Sequence, residues 1–504
     1  MGRLAAAVTA LVVLVGCVVG AVLIWGDDGA TLGSPIDPSG SPSGSSSGSP
    51  SASPSPDRSP ADDPAYDAAL SKPVEDSYYP AHGDPGVDTL HYGLDLTWQP
   101  ATKTLSGTAT IALRASATAD RLRLDLLDAL KVSRVLLDGE STKWTQRHDQ
   151  LQVLEPVKAD SRHVLEVTYA GTPRPVPAPT TRSDFSTTGM EITDDGEIWT
   201  MQEPFGAYTW YPVNDQPADK ALYDFTIRVP RPMVGVANGE LRSRRVVGGH
   251  TVTRWHLGHP AASYLTTIAV GDFVQTKDES PSGVPLSYWT HRGDERALAA
   301  LRVTPRIMAW NERHLGRYPF ESLGILIVDS ESGMETQSMI TLGDTDYTRS
   351  PEVIEHELTH QWYGDLVTPT DWRDVWMNEG MTMFVQGAYE ADRGGVDIDS
   401  VMDRWAVSEP AMRAEAGPPG AYDKGEFGEG NIYYGPALMW NELRHRLGDK
   451  AFWSMVRAWP TAHADGNATR RQYLDWVEKR TGLELTSFFD DWLMGRRTPP
   501  RHAG

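Results

Sequence analysis

Cysteine is nearly absent from this 504-residue chain: Cys17 is the single one. No disulfide can form within the chain and no set of thiolates can hold a metal, so any bound ion has to sit on His, Asp or Glu. An excess of positive charge is missing as well. The 46 Lys and Arg stand against 68 Asp and Glu, a formal charge of −22, which repels nucleic acid and anionic lipid as main partners and leaves cationic ligands compatible. No internal repeat of fixed period is evident. At this length one hydrophobic core is not expected to organise the whole chain, so two or more folded units are.

Charge of either sign is absent from Leu4 to Trp25, and a helix of that length spans about 33 Å, enough to cross a bilayer. Arg3 precedes the run and Asp27 and Asp28 follow it, which puts the amino terminus in the cytoplasm and the rest outside. Residues 1–28 are therefore expected to be a single-pass anchor holding an extracytoplasmic folded part at the cell membrane through residues 4–25. A secreted form with a cleaved signal peptide, or a lipoprotein attached at Cys17, are the alternatives; the apolar run continues past Cys17, which favours the uncleaved anchor. Apolar side chains are then scarce where Ser, Gly and Pro dominate from Gly29 to Pro64. Residues 29–77 are expected to be a disordered tether.

Beyond the tether the pattern has a period of two. Tyr92, Leu94, Leu96 and Trp98 alternate with polar neighbours, as do Leu122, Leu124 and Leu126, then Leu165, Val167 and Tyr169, then Tyr223, Phe225, Ile227 and Val229. Such runs, separated by turn residues, predict a mostly antiparallel β domain over 78–275. The character then changes: Glu295 to Leu315 reads as helix, LGILIVD at 323–329 as a buried strand, and Arg470 to Arg480 and Leu485 to Leu493 as terminal helices. Residues 276–504 are expected to form an α+β domain.

The chemistry concentrates in HELTH at 356–360. Ser350 and Pro351 predict the N-cap and first residue of a helix on which Ile354, Leu358 and Trp362 form an apolar stripe and His356 and His360 a second one. Imidazoles at i and i+4 lie one turn apart and can share an ion, while Glu357, one position round, can touch a water on that ion. A solvated helix face carrying two surface histidines is the bland alternative. A catalytic site needs a third ligand: with Pro369 ending this helix and Asp371 capping the next, Glu379 faces back if the two pack antiparallel.

The longer run HELTHQWYGDLVTPTDWRDVWMNEG resembles the zinc signature of the aminopeptidase N family of metallopeptidases. The resemblance implies one Zn²⁺ per chain on His356, His360 and Glu379, with Glu357 as the catalytic base. SGMETQ at 332–337 is similar to the family's Gly-Ala-Met-Glu-Asn motif, which implies Glu335 at the substrate's α-amine and Gly333 and Met334 on an edge strand along which substrate backbone adds. Ser332 and Thr336 depart from that motif. TMQEPFGAYTWYPVNDQPADKA at 200–221 looks like the family's Thr-Gln-x-Glu-Pro segment and implies Glu203 as a second amine ligand. NIYYGPALMW resembles the segment that carries the family's catalytic tyrosine and selects Tyr433, with Tyr434 the adjacent alternative.

The fold implied is a saddle-shaped antiparallel β domain followed by a thermolysin-like catalytic domain, behind an N-terminal transmembrane helix. The activity implied is removal of the N-terminal residue from peptides with a free N-terminus by a metal-activated water. A thermolysin-like endopeptidase and a non-catalytic peptide-binding protein on the same scaffold are the alternatives.

Overall fold

The structure is a computed structural model that describes residues 60–501. The expected anchor and most of the tether lie outside the described residues, and among those described no helix is long and apolar enough to cross a membrane.

Three of the period-two segments share one large sheet, and the fourth, Leu122–Asp125, pairs in a three-stranded sheet with Gln150–Val153 and Trp144–Arg147. The large, eight-stranded sheet runs in the order Glu240–Val247, His250–Ala262, Lys220–Pro230, Val87–Gln99, Thr104–Ala115, Arg162–Gly171, Leu130–Leu137 and Glu140–Ser141. Its pairs are antiparallel except Val87–Gln99 against Lys220–Pro230, where Tyr92 stands opposite Tyr223 and Leu94 opposite Phe225. The alternating residues Tyr92, Leu94, Leu96, Trp98, Leu165, Val167 and Tyr169 are all buried, each contributing roughly 1.5–3 kcal/mol by leaving water. A further, antiparallel sheet contains β1 (Ile198–Met201) between Thr187–Ile192 and Ile268–Gly271. It ends two residues before Glu203.

A mixed sheet runs in the order Phe273–Glu279, Pro285–His291, β2 (Leu323–Val328), β4 (Met339–Gly343) and β3 (Gly333–Met334). The strand Phe273–Glu279 crosses residue 275 and pairs with Pro285–His291, on the side of the helical region. All six residues of β2 are buried, as its uninterrupted apolar run requires, and β3 lies at the sheet edge. Three helices build the rest of the site: α1 (Pro351–His360), α2 (Trp376–Gly394) and α3 (Asn431–Leu447). One continuous apolar core, from Tyr79 to Leu493, joins the β sheets to these helices.

Three expectations need correction. Residues 60–77, expected as the end of a disordered tether, are ordered: two short 3₁₀ turns, Pro60–Asp62 and Pro64–Ala69, bury Ala61 and Ala69. Tyr66 stacks on His91, Ser71 N–H donates to Asp88, and the Ser77 hydroxyl donates to Asp371 at 2.8 Å. The partners lie far along the chain, so composition could not reveal them.

The segment Glu295 to Leu315 is two helices, Glu295–Leu301 and Thr304–Leu315. Pro305 has no N–H for the Leu301 carbonyl, and the Thr304 hydroxyl serves it instead at 2.7 Å.

The HELTH helix stops at His360 rather than at Pro369, and Val367–Pro369 pairs as a short parallel strand with Gly466–Ala468. The chain turns at 361–364, where Gly364 takes a φ of 129° and Asp365 N–H donates to the His360 carbonyl at 3.1 Å, and the turn sets the Tyr363 carbonyl against the ring of His360.

Candidate metal centre

Ser350 caps α1, its hydroxyl accepting from Val353 N–H, and Pro351 fills the first position, where no N–H is needed. Ile354 and Leu358 are fully buried. That fixes the rotation of the helix and turns the histidine stripe toward α2, whose residue Glu379 faces back. His356 Nε2 and His360 Nε2 stand 3.2 Å apart, and each lies 3.3 Å from Glu379 Oε2.

These separations match a bound ion. Ligand atoms about 2.0–2.1 Å from a tetrahedral divalent ion stand roughly 3.3–3.5 Å apart. The opposite ring nitrogens are already engaged: His356 Nδ1 meets Gln386 Oε1 at 2.9 Å, and His360 Nδ1 meets the Tyr363 carbonyl at 3.0 Å. Since both partners are acceptors, the proton sits on Nδ1 and the Nε2 lone pairs are left to converge. Glu379 Oε2 is buried without a hydrogen-bond donor. Burial alone would raise this carboxyl, but the imidazoles, His360 first, outweigh it and hold it at about 2. Burial likewise opposes charge on His360, yet Glu335 and Glu379 push its pKa well above the usual imidazole range, so this point favours a cation, either a proton on Nε2 or a metal that displaces it. Two imidazoles and an ionised carboxylate fit a divalent ion.

Glu203 and Glu335 join this cluster from the segments that follow β1 and β3, strands of different sheets. Carboxylate oxygens of Glu203, Glu335 and Glu379 lie within 4.8 Å of one another, as do ligand atoms of Glu335, Glu357 and His360. Glu203 Oε1 and Glu335 Oε1 are buried without a partner. Burial, and then the charge of Glu335, push Glu203 well above the usual carboxylate range; burial does the same for Glu357. Four carboxyl groups packed this closely cannot all stay ionised on their own, so a cation bound among them is favoured.

The neighbouring residues hold these groups in place. Gln202 Nε2 donates to the Ser263 and Thr266 carbonyls at 2.8 Å while Trp210 Nε1 donates to Gln202 Oε1, which pins the chain beside Glu203. Asp215 accepts from Gly206 N–H and the Ser263 hydroxyl, and buried Lys220 donates to the Asp365 carbonyl at 2.7 Å, tying the β domain to the loop after His360. Gln361 Nε2 donates to the Glu335 carbonyl at 3.0 Å and its Oε1 accepts from Ser338 N–H. At Gly333 a Cβ would come within 2.5 Å of Glu357 Oε1, so any larger residue there requires the Glu357 carboxylate to shift. At Gly380, a Cβ would overlap the Pro436 ring, so α3 packs directly onto α2.

That packing brings Tyr433 to the site, its ring centroid 6.0 Å from that of His356, whereas Tyr434 packs edge-on against Trp405. Met334 is buried on β3 behind Glu335. The reading of the sequence missed Gln386, Gln361, Arg182 and Thr382, whose hydroxyl lies 3.3 Å from His360 Nδ1. Gln386 and Thr382 lie seven and three positions beyond Glu379 on one face of α2, a spacing that could have revealed them. Arg182, whose Nη1 lies 3.4 Å from Tyr433 Oη, sits in an aperiodic loop that gives no such signal.

Comparison with known proteins follows the same division of the chain. The profile of the Peptidase M1 N-terminal domain matches residues 88–265, and that of the Peptidase family M1 domain matches residues 299–492. Aminopeptidase N of Streptomyces lividans is 23% identical over 446 residues, covering 81% of this chain and 50% of its own. A probable aminopeptidase 1 of Sulfurisphaera tokodaii is 26% identical over 284 residues, 53% of this chain and 34% of its own. The chain thus spans a third to a half of the length of these relatives.

Among solved structures, an M1 zinc metallopeptidase from Deinococcus radiodurans superposes with a TM-score of 0.75 at 26% identity, covering 85% of this chain and 98% of that one. A mutant of the Deinococcus radiodurans enzyme bound to a Tyr-Ser-Ala substrate gives 0.75 at 25% identity, with coverages of 85% and 99%. With both domain profiles matched in order, and with a two-domain fold of a β-rich N-terminal part and a helical catalytic part, the chain belongs to peptidase family M1.

Proposed function

We propose that this protein is a zinc-dependent aminopeptidase that removes the N-terminal residue of peptides. The observation that carries the reading is the pair of buried carboxylates, Glu203 and Glu335, each with an oxygen lacking a partner, beside the His356–His360–Glu379 cluster. A peptide ammonium supplies the donors and the charge these two lack.

On this reading the β domain, 78–275, contributes Glu203 and the catalytic domain, 276–504, contributes the rest. His356, His360 and Glu379 hold zinc, which when bound polarises the scissile carbonyl and brings the pKa of a water down to about 7. Glu357 accepts the proton of the attacking water and passes it to the departing amine. The Tyr433 phenol donates to the developing oxyanion. Glu203 and Glu335 fix the ammonium, and the free edge of β3 at Gly333 and Met334 receives the substrate backbone as an added strand. The distance from ammonium anchors to metal then sets the cut after one residue. The Tyr-Ser-Ala peptide bound by the structural neighbour supports a peptide substrate.

The apolar run 4–25 supports an anchor that keeps this activity outside the cell membrane; sedimentation of the full-length protein with membranes, resistant to alkaline carbonate, tests it. The activity is tested by paired substrates. A free aminoacyl amide should be hydrolysed and its N-acetyl derivative should not, whereas equal cleavage of both would favour an endopeptidase.

A further inference from the structure

Arg182 belongs to the loop between Val176–Pro177 and Thr187–Ile192 of the β domain, while Tyr433 stands on α3 of the catalytic domain. The two meet across the domain boundary. The guanidinium is clamped on three sides: Nε and Nη2 donate to the two oxygens of Asp184 at 3.2 and 2.6 Å, and Nη1 donates to the Gly428 carbonyl at 2.8 Å. From that position Nη1 lies 3.4 Å from Tyr433 Oη. The surrounding loop is fastened too, with Phe427 N–H donating to the Pro179 carbonyl at 2.9 Å and the Thr181 hydroxyl bonded to Glu426 and Glu429. Arg182 cannot swing away without giving up its bidentate partner and a backbone acceptor.

A phenol has one proton to give and lone pairs that accept. A fixed cationic donor on one lone pair leaves the hydroxyl proton to point elsewhere, and the other polar groups Tyr433 faces belong to the carboxylate and imidazole cluster. An accepted hydrogen bond also polarises the O–H and strengthens it as a donor.

We propose that Arg182 is a positioning residue of the β domain that orients the Tyr433 hydroxyl toward the oxyanion. The proposal rests on the aminopeptidase reading and adds to it: the β domain acts at both ends of the reaction, through Glu203 at the amine and through Arg182 behind the phenol.

The test is a double-mutant cycle on the full-length, zinc-loaded protein with an aminoacyl p-nitroanilide. Removing one oxyanion donor costs about 100- to 1,000-fold in kcat, so losing its orientation in Arg182→Gln should cost about 10-fold, with KM changed by less than about 3-fold. In a Tyr433→Phe background the same substitution should cost nothing further, because its target is gone. Asp184→Asn, which loosens the clamp and keeps the charge, should fall between wild type and Arg182→Gln, and this variant together with Arg182→Lys carries the cycle if the glutamine variant does not fold.

A readout apart from turnover is the ¹³Cζ-tyrosine NMR spectrum of metal-free protein, in which the resonance lost in Tyr433→Phe should move in Arg182→Gln. Equal losses with and without the phenol, an undiminished kcat, or an unmoved resonance would overturn the proposal. If the wild type hydrolyses no aminoacyl amide, the aminopeptidase reading fails, and the NMR comparison still decides whether Arg182 sets the phenol.

Discussion

Replacing Glu203 by Gln should separate activity from stability. The substitution keeps the shape of the side chain and removes one charge from a group that is 7% exposed and has an oxygen without a donor. A hydrogen bond to a charged group contributes about 1.5–3 kcal/mol. At 1.36 kcal/mol per decade, that is a loss of about 10- to 150-fold in kcat/KM for a free aminoacyl amide. Stability should move the other way. Burial and the neighbouring Glu335 raise the folded pKa of Glu203 well above its ordinary value. A carboxyl raised on folding costs nothing below its unfolded pKa of about 4.3 and destabilises increasingly as pH rises from there toward the folded pKa. Metal-free Glu203→Gln should therefore melt with the wild type near pH 4 and above it at pH 7–8. Kinetics at pH 7 and thermal melts at the two pH values check both halves. Wild-type kcat/KM, or a variant less stable than wild type at pH 8, would refute the reasoning.

The other expectations are simpler. Glu357→Gln should retain the metal and lose about 100- to 10,000-fold in kcat, as expected for removal of a general base; turnover and metal content measured on the same sample check it. Gly333→Ala places a methyl within 2.5 Å of Glu357 Oε1, so kcat should fall while the circular dichroism of the folded protein is kept. The Asp465 carboxylate raises the pKa of His259, with which it bonds at 2.8 Å, and its own is lowered in the pair. The raised imidazole adds stability that is complete below about pH 6.5 and lost as pH climbs through the folded pKa; the lowered carboxylate adds stability above about pH 3.9 that is lost on acidification. Asp465→Asn should therefore destabilise more at pH 6 than at pH 9 in urea titrations.

Much of the fold could be read from alternation, because a strand with one buried face announces it: Tyr92, Leu94, Leu96 and Trp98 all turn inward. The ligand helix was legible from its cap, its apolar stripe and its paired histidines. What stayed hidden depends on contacts made across long stretches of chain. Residues 60–77 are held by Asp88, His91 and Asp371, and nothing in a Ser- and Pro-rich stretch signals those partners. The end of α1 at His360 coincides with a turn through Gly364, at φ 129°, that sets the Tyr363 carbonyl against the His360 ring, and the pattern of apolar residues does not mark it. Arg182 reaches Tyr433 only because two domains close on each other. The choice of Tyr433 over Tyr434 needed coordinates as well, since adjacent helical residues point about 100° apart and only packing decides which faces inward.

The most direct test is the metal content of the purified protein after dialysis against trace zinc. The convergence of His356, His360 and Glu379 predicts one zinc per wild-type chain, and a loss of both zinc and turnover in His360→Ala. Zinc-free wild-type protein that still hydrolyses aminoacyl amides, or a His360→Ala variant that keeps its zinc, would contradict the account.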